Sequence, residues 1–275
     1  ANAGDGATPA QTADTPTALS LSGFTRTGYN FLGWKTQGMA TGATPIAGGT
    51  SYTLDENNYI FYAQWSPIAR TLSFNENGGS TTQASVSNKL IGDIEVLPTP
   101  TFTRTGYTFG GWSDGTNTYA ENATYPSAGA VAGNVTLTAT WTANSLTVTY
   151  NAQGGSSVTA ASVNTGASIS TAPTAPTKAG YTFSGWSTTS SGSVITFPYA
   201  HGQTASFTLY AIWSANALTV TYDSQGGSAI SNGSTATAGS IASAPGAPTK
   251  ANYTFAGWAA TIGGSAITFP YSHGQ

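Results

Sequence analysis

The side chains able to do chemistry are few and far apart in this chain. His201 and His273 are the only histidines and stand 72 residues apart, each opening a His-Gly-Gln. One histidine per stretch of that length brings no converging ligands, so turn histidines are expected rather than a metal site. Four basic residues, Arg26, Arg104, Lys178 and Lys250, each stand three positions before a tyrosine. They could take an anionic glycan. The favoured reading is that each lays its aliphatic stem over the neighbouring aromatic and leaves its charge in solvent. Carboxylates form no repeated pair, and Asp223 is the only one after residue 144. Glycoside hydrolysis needs two opposed carboxylates, which excludes that class for the second half. An intramolecular Lys–Asn isopeptide lacks its nearby acid in the last two stretches. No nucleophile elbow, phosphate loop or calcium loop occurs. The absence of cysteine removes disulfides, thiolate metal sites and a cysteine nucleophile. No catalytic, cofactor-binding or metal-binding residue is therefore expected.

The elements that would position these groups recur. Thr25–Trp34, Thr103–Trp112, Pro176–Trp186 and Pro248–Trp258 all end in aromatic-x-Gly-Trp, with tryptophan spacings of 78, 74 and 72 residues. Self-similarity at a nearly fixed period marks a tandem array. The units are read as 1–66, lacking its first strand; 67–143; 144–215, complete; and 216–275, lacking its last strand. Links of about four residues (Ser66–Ala69, Thr142–Ser145, Ser214–Ala217) predict a stiff rod rather than freely tumbling beads. Compactness scaling gives each unit roughly 25–30 Å and the rod a length on the order of 100 Å. With one end strand absent from each outer unit, and residues 1–6 reading as a turn after a missing strand, the chain reads as an excerpt.

Within the third unit, Leu146–Tyr150 alternates apolar and hydroxyl residues, the period of a half-buried strand. The turns Asn75–Gly79, Asn151–Gly155 and Asp223–Gly227 end in paired glycines, expected to supply positive φ. The Ser/Thr/Ala segment that follows is either a poor strand or an irregular crossing. Alternation along Tyr181, Phe183, Gly185 and Trp186 fails unless a bulge at the glycine turns Trp186 inward. Val194–Tyr199 is expected to be an edge strand or strand end because of Pro198. The closing strand sets Phe207, Leu209, Ala211 and Trp213 inward, in register with Val135, Leu137, Ala139 and Trp141 and with Tyr59, Phe61, Ala63 and Trp65. The constant alanine beside a tryptophan leaves room for an aromatic from another strand. Trp34, Trp65, Trp112, Trp141, Trp186, Trp213 and Trp258 are all the tryptophans of the chain, and all fall in these two motifs. With Tyr181, Phe183, Gly185, Leu209 and Ala211 they form the expected core.

Composition narrows the class. Only 6% of residues are charged and the net charge is -3, which gives no basic footprint for nucleic acid. Residues 1–144 hold nine of the ten acids and five of the seven basic residues. With 34 glycines and abundant Thr, Val and Tyr, the bias is to strands and turns. No apolar run approaches the ~20 residues of a membrane span. Four Asn-x-Ser/Thr sequons (Asn122, Asn134, Asn232, Asn252) are what chance gives in so Thr-rich a chain.

The pattern Val-Thr-Tyr-Asn-x-x-Gly-Gly, Pro-Thr-x-x-Gly-Tyr-Thr-Phe-x-Gly-Trp and Leu-Tyr-Ala-x-Trp resembles the Listeria–Bacteroides repeat, the B-repeat type of internalin B. Nearly the whole chain shares it, with Tyr181, Phe183, Gly185, Trp186, Leu209, Tyr210, Ala211 and Trp213 on the motif. The resemblance implies small β-grasp-like units and a stalk or repeat region of secreted or cell-wall-attached bacterial proteins, without catalysis. The chain departs from better-known members in its low charge and its Phe-Pro-Tyr-x-His-Gly-Gln segment.

Three roles follow as expectations. The first is a non-enzymatic spacer in a bacterial extracellular stalk, adhesin or fibre, whose partners are neighbouring repeats. The second is an adhesive module for glycans or a host surface protein, although Thr138 stands where Tyr62 and Tyr210 stand in other units. The third is a filament subunit completed by strand exchange with other copies.

Overall fold

A computed structural model of the chain describes residues 17–18, 25–52, 60–126 and 133–274. The protein is mainly β. All regular elements among the described residues are strands, in two compact units, Ala1–Thr142 and Ala143–Gln275.

In the first unit, β1 (Tyr29–Thr36) and β2 (Phe61–Pro67) form an antiparallel pair in which Trp34 lies opposite Ala63. The register shifts between Phe31 and Gly33, so Phe31 and Trp34 face the same way and meet edge to face at 5.4 Å. Farther along the chain run β3 (Arg70–Asn75), β4 (Val86–Lys89), β5 (Tyr107–Ser113) and β6 (Val135–Ala143). With Thr118–Tyr119 they make one sheet of order β4-β3-β6-β5 and then that short strand. β3 and β6 run parallel, Leu72 opposite Val135 and Phe74 opposite Leu137. Alternate residues of both strands point into a core of Leu72, Phe74, Leu97, Phe102, Trp112, Tyr125, Leu137 and Ala139.

The second unit repeats the plan with β7 (Ser145–Asn151), β8 (Ala161–Asn164), β9 (Tyr181–Ser187) and β10 (Phe207–Ala215) in the order β8-β7-β10-β9. Leu146, Val148 and Tyr150 of β7 are buried while the residues between them are exposed, the period-2 pattern of a strand with one wet face. β7 and β10 are parallel, and β9 is antiparallel to β10. The β9 register shifts between Phe183 and Gly185, leaving Trp186 opposite Ala211. This bulge lets Phe183 and Trp186 share the inner face, where their rings meet at 5.4 Å. Small Ala211 is the floor on which the indole lies. β11 (Ala217–Val220) and β12 (Gly233–Ala236) form an antiparallel pair, with Ser240–Ile241 against Tyr271–Ser272.

Several expectations are refined. The Ser/Thr/Ala segment contains β8 and the short strand Ser168–Ile169, the latter paired with Tyr199–Ala200. Of Val194–Tyr199 only Tyr199 is in a strand, because Ile195 instead donates its N–H to Trp186 O at 2.8 Å. In the paired-glycine turns only the first glycine has positive φ; the other left-handed residue precedes it, at Asn77, Gln153 and Gln225. The second glycine serves space, since a Cβ on Gly155 would lie 2.6 Å from the Trp213 ring. The links between repeats are shorter than four residues, because strands run into them: only Asn216 separates β10 from β11. Tyr59 and residues 1–6 lie outside the described residues.

Candidate functional site

The most densely bonded recurring feature is the turn after the first strand of a repeat. In Asn151–Gly155 the Asn151 side-chain oxygen accepts from the Gln153 N–H at 2.9 Å, which holds Gln153 at φ 48. Asn and Asp favour such local closures because their short side chains reach the backbone two residues on. The same closure occurs at Asn75/Asn77 (2.9 Å) and Asp223/Gln225 (2.8 Å).

Three distant residues then converge on this turn. The Trp213 indole N–H donates to Ala152 O at 3.0 Å, as Trp141 does to Glu76 O at 3.1 Å. The Gln153 side-chain amide donates to the carbonyl of the constant alanine, Ala211, at 2.6 Å, and Asn77 does the same to Ala139 at 3.0 Å. The Lys178 ammonium donates to Gln153 O at 3.0 Å, Lys250 to Gln225 O at 2.8 Å, and the Arg104 guanidinium to Asn77 O at 3.4 Å.

The cations also stack. Arg26, Arg104, Lys178 and Lys250 lie 3.8, 4.1, 4.5 and 4.7 Å from the ring centroids of Tyr29, Tyr107, Tyr181 and Tyr253. Each basic residue thus covers a ring, as the sequence suggested, and in three repeats it also closes the turn. That second bond was not anticipated; the available signal was the near-constant spacing between turn and basic residue, 27 positions in the second repeat and 25 in the third and fourth. Gln153 and Asn77 were read as mere turn residues, and their bonds to alanine carbonyls were missed.

The expected core positions fall as follows. Trp186 and Trp112 are fully buried, Trp34, Leu209, Ala211 and Ala63 are buried, and Trp65, Trp141, Tyr181, Phe183, Gly185, Trp213 and Trp258 are half-buried. Phe183 contacts both Trp186 and Trp213 edge to face, at 5.4 and 5.5 Å.

His201 lies in the loop directly after the short strand Tyr199–Ala200 rather than in a turn, and the residue is only 4% exposed. Its Nδ1 accepts from the Gln203 N–H at 2.9 Å, which puts the proton on Nε2, 3.3 Å from Asn164 O. The ring stacks on Phe207 at 5.1 Å. This histidine is a core polar group with both nitrogens engaged. Another buried polar residue, Arg70, holds the β3 place that Leu146 holds in β7 and donates to Asp93 O at 2.8 Å. Asp114 accepts from the Asn117 and Thr116 N–H groups and from the Tyr119 hydroxyl, which together hold its carboxyl below the usual range. Among the described residues no three or more His, Cys, Asp or Glu side chains gather where they could hold a metal.

The turn, the basic residue, the Gly-Trp bulge and the Ala-x-Trp strand thus form one interlocked unit, and that unit recurs. The Listeria–Bacteroides repeat domain matches residues 1–64, 71–140, 147–212 and 219–272. The chain belongs to the Listeria–Bacteroides repeat family. Two proteins of Evansella cellulosilytica are similar to it. One, named as a Gly-rich membrane protein, is 31% identical over 85% of this chain and 27% of its own length. The other, named as a membrane protein, is 33% identical over 72% of this chain and 29% of its own length. This Listeria–Bacteroides repeat chain therefore spans little more than a quarter of either relative.

Proposed function

We propose that the chain is a non-enzymatic structural repeat region that sets spacing within a bacterial extracellular or cell-surface protein. The observation that carries this reading is where the recognition-competent groups are spent. The half-buried tryptophans Trp141 and Trp213 give their indole N–H groups to turn carbonyls, and the repeated cations are committed to turn carbonyls and tyrosine rings. A sugar platform needs exposed aromatic faces with unspent polar neighbours. The surface setting is supported by the family and by relatives whose names place them at a membrane. No helix among the described residues is long and apolar enough to cross a bilayer, which does not bear on a β-barrel. Repeat boundaries at 66/67, 143/144 and 215/216 and a β-grasp-like unit belong to this proposal. So does the assignment of the twelve core-motif residues as structural.

The test is a glycan array and a cell-adhesion assay with the whole chain. The spacer reading expects no saturable binding. Saturable binding abolished by Tyr62→Ala or Tyr210→Ala would replace it with the adhesive reading.

A further inference from the structure

We infer that the third and fourth repeats are locked in a fixed mutual orientation by a keystone residue, Asn216, and by a glycine, Gly180, whose missing side chain is the socket for the fourth repeat. The inference deepens the spacer reading, which needs such coupling, but it stands on the junction alone.

Asn216 is the single residue between β10 and β11, and both of its backbone groups are spent on different repeats. Its N–H donates back to Gly180 O of the third repeat at 2.9 Å, extending the β9–β10 ladder by one step. Its carbonyl accepts from Thr237 of the fourth repeat, from the N–H at 2.9 Å and from the hydroxyl at 3.4 Å. Its side-chain oxygen accepts from the Thr182 hydroxyl at 2.7 Å, back on the third repeat. The ladder of one sheet therefore passes into the next through one peptide unit.

Parts of the same relay recur. Ile68 donates to Gly28 O at 2.9 Å, and Asn144 O accepts from the Thr165 N–H at 3.0 Å and its hydroxyl at 3.4 Å. Ile68 thus makes the backward half of the relay and Asn144 the forward half, each at the position that Asn216 holds.

Sterics add specificity. Gly180 has φ 78, and a Cβ there would lie 2.5 Å from Thr237 Cγ2. The backbone conformation alone does not demand glycine, because the matching residue of the fourth repeat is Asn252, at φ 64. Asparagine tolerates the left-handed region through local hydrogen bonding. What position 180 has and position 252 does not is a described neighbour pressed against it. Glycine at this point of the motif therefore makes room for a docked repeat.

Gly180→Asn separates the two demands, since it keeps a residue the motif already accepts but fills the socket. Residual dipolar couplings and amide hydrogen exchange on the whole chain read the outcome. In the unaltered protein the third and fourth repeats should share one alignment tensor, with protected amides at Asn216 and Thr237. In Gly180→Asn the two tensors should diverge, and exchange at both amides should quicken by about tenfold or more. Thr237→Leu, which leaves every residue of the third repeat untouched, should uncouple the pair from the other side. The inference is overturned if the unaltered repeats have independent tensors, or if both substitutions leave the shared tensor intact. Either result is independent of the binding assays that test the spacer role.

Discussion

Trp186 shows how much of each repeat's stability rests on one side chain. Its indole is 1% exposed, lies on Ala211, and touches Phe183 and Tyr150 with ring centroids 5.4 and 5.0 Å away. Trp186→Ala should cost about 3–5 kcal/mol, the range for deleting a buried aromatic, and equilibrium urea unfolding followed by the amide signals of β10 would measure it. Loss below about 1 kcal/mol would show that the core does not depend on this ring. Tyr150 makes a second prediction. Burial raises its hydroxyl above the ordinary value of 10.0, so the folded chain holds the proton more tightly than the unfolded one. The contribution is complete below the unfolded value and is lost as pH rises through the folded one. Unfolding midpoints should therefore fall above pH ~10, and Tyr150→Phe, which places there the residue type of Phe74 at the same point of the second repeat, should flatten that fall. An unchanged alkaline slope in Tyr150→Phe would reject the assignment.

The turn after β7 acts as an element, because Trp213 and Lys178 donate to its carbonyls while its own Gln153 side chain donates to Ala211 O. Gln153→Ala and Lys178→Met should each cost about 1 kcal/mol, the usual net worth of such bonds. The double variant should cost less than the sum, because either change alone loosens the turn that the other bond needs. Strict additivity in thermal unfolding would mean that the bonds act separately. Much of this element was legible in the chain: spacing revealed the repeats, alternation revealed β7 and β10, and the constant alanine pointed to the facing tryptophan. Two kinds of feature were not legible. The pairing of β7 with β10 joins residues about sixty positions apart, and local periodicity says nothing of which strands meet or in what sense. The carbonyl partners of Gln153, Asn77, Lys178 and Asn216 depend on backbone groups, which carry no residue-type signature at all. His201 was likewise read from its Gly-Gln neighbours as a turn residue, and its burial depends on Phe207 and Asn164 arriving from elsewhere.

At the scale of the whole chain, the strand order determines how a spacer of this kind bears load. The first and last long strands of a complete repeat lie side by side and parallel: β3 with β6, and β7 with β10. Tension enters a repeat at the start of its first strand and leaves at the end of its last. Parallel neighbours pulled in that way slide along one another, so the ladder bonds between them are loaded together rather than opened one by one. Pulling on the chain should therefore give a high-force event for each of the second and third repeats. Each should lengthen the chain by roughly 200–230 Å, from about seventy residues at 3.3–3.6 Å each less a folded span of about 25–30 Å. Substituting Thr149→Pro, whose N–H lies on the same edge of β7 as that of Thr147, which meets Ser206 Oγ at 2.9 Å, removes a donor facing β10 and should abolish one high-force event and leave the other. If all rises came at one low force, or if that substitution left both high-force events in place, the parallel pair would not be the element that bears the load.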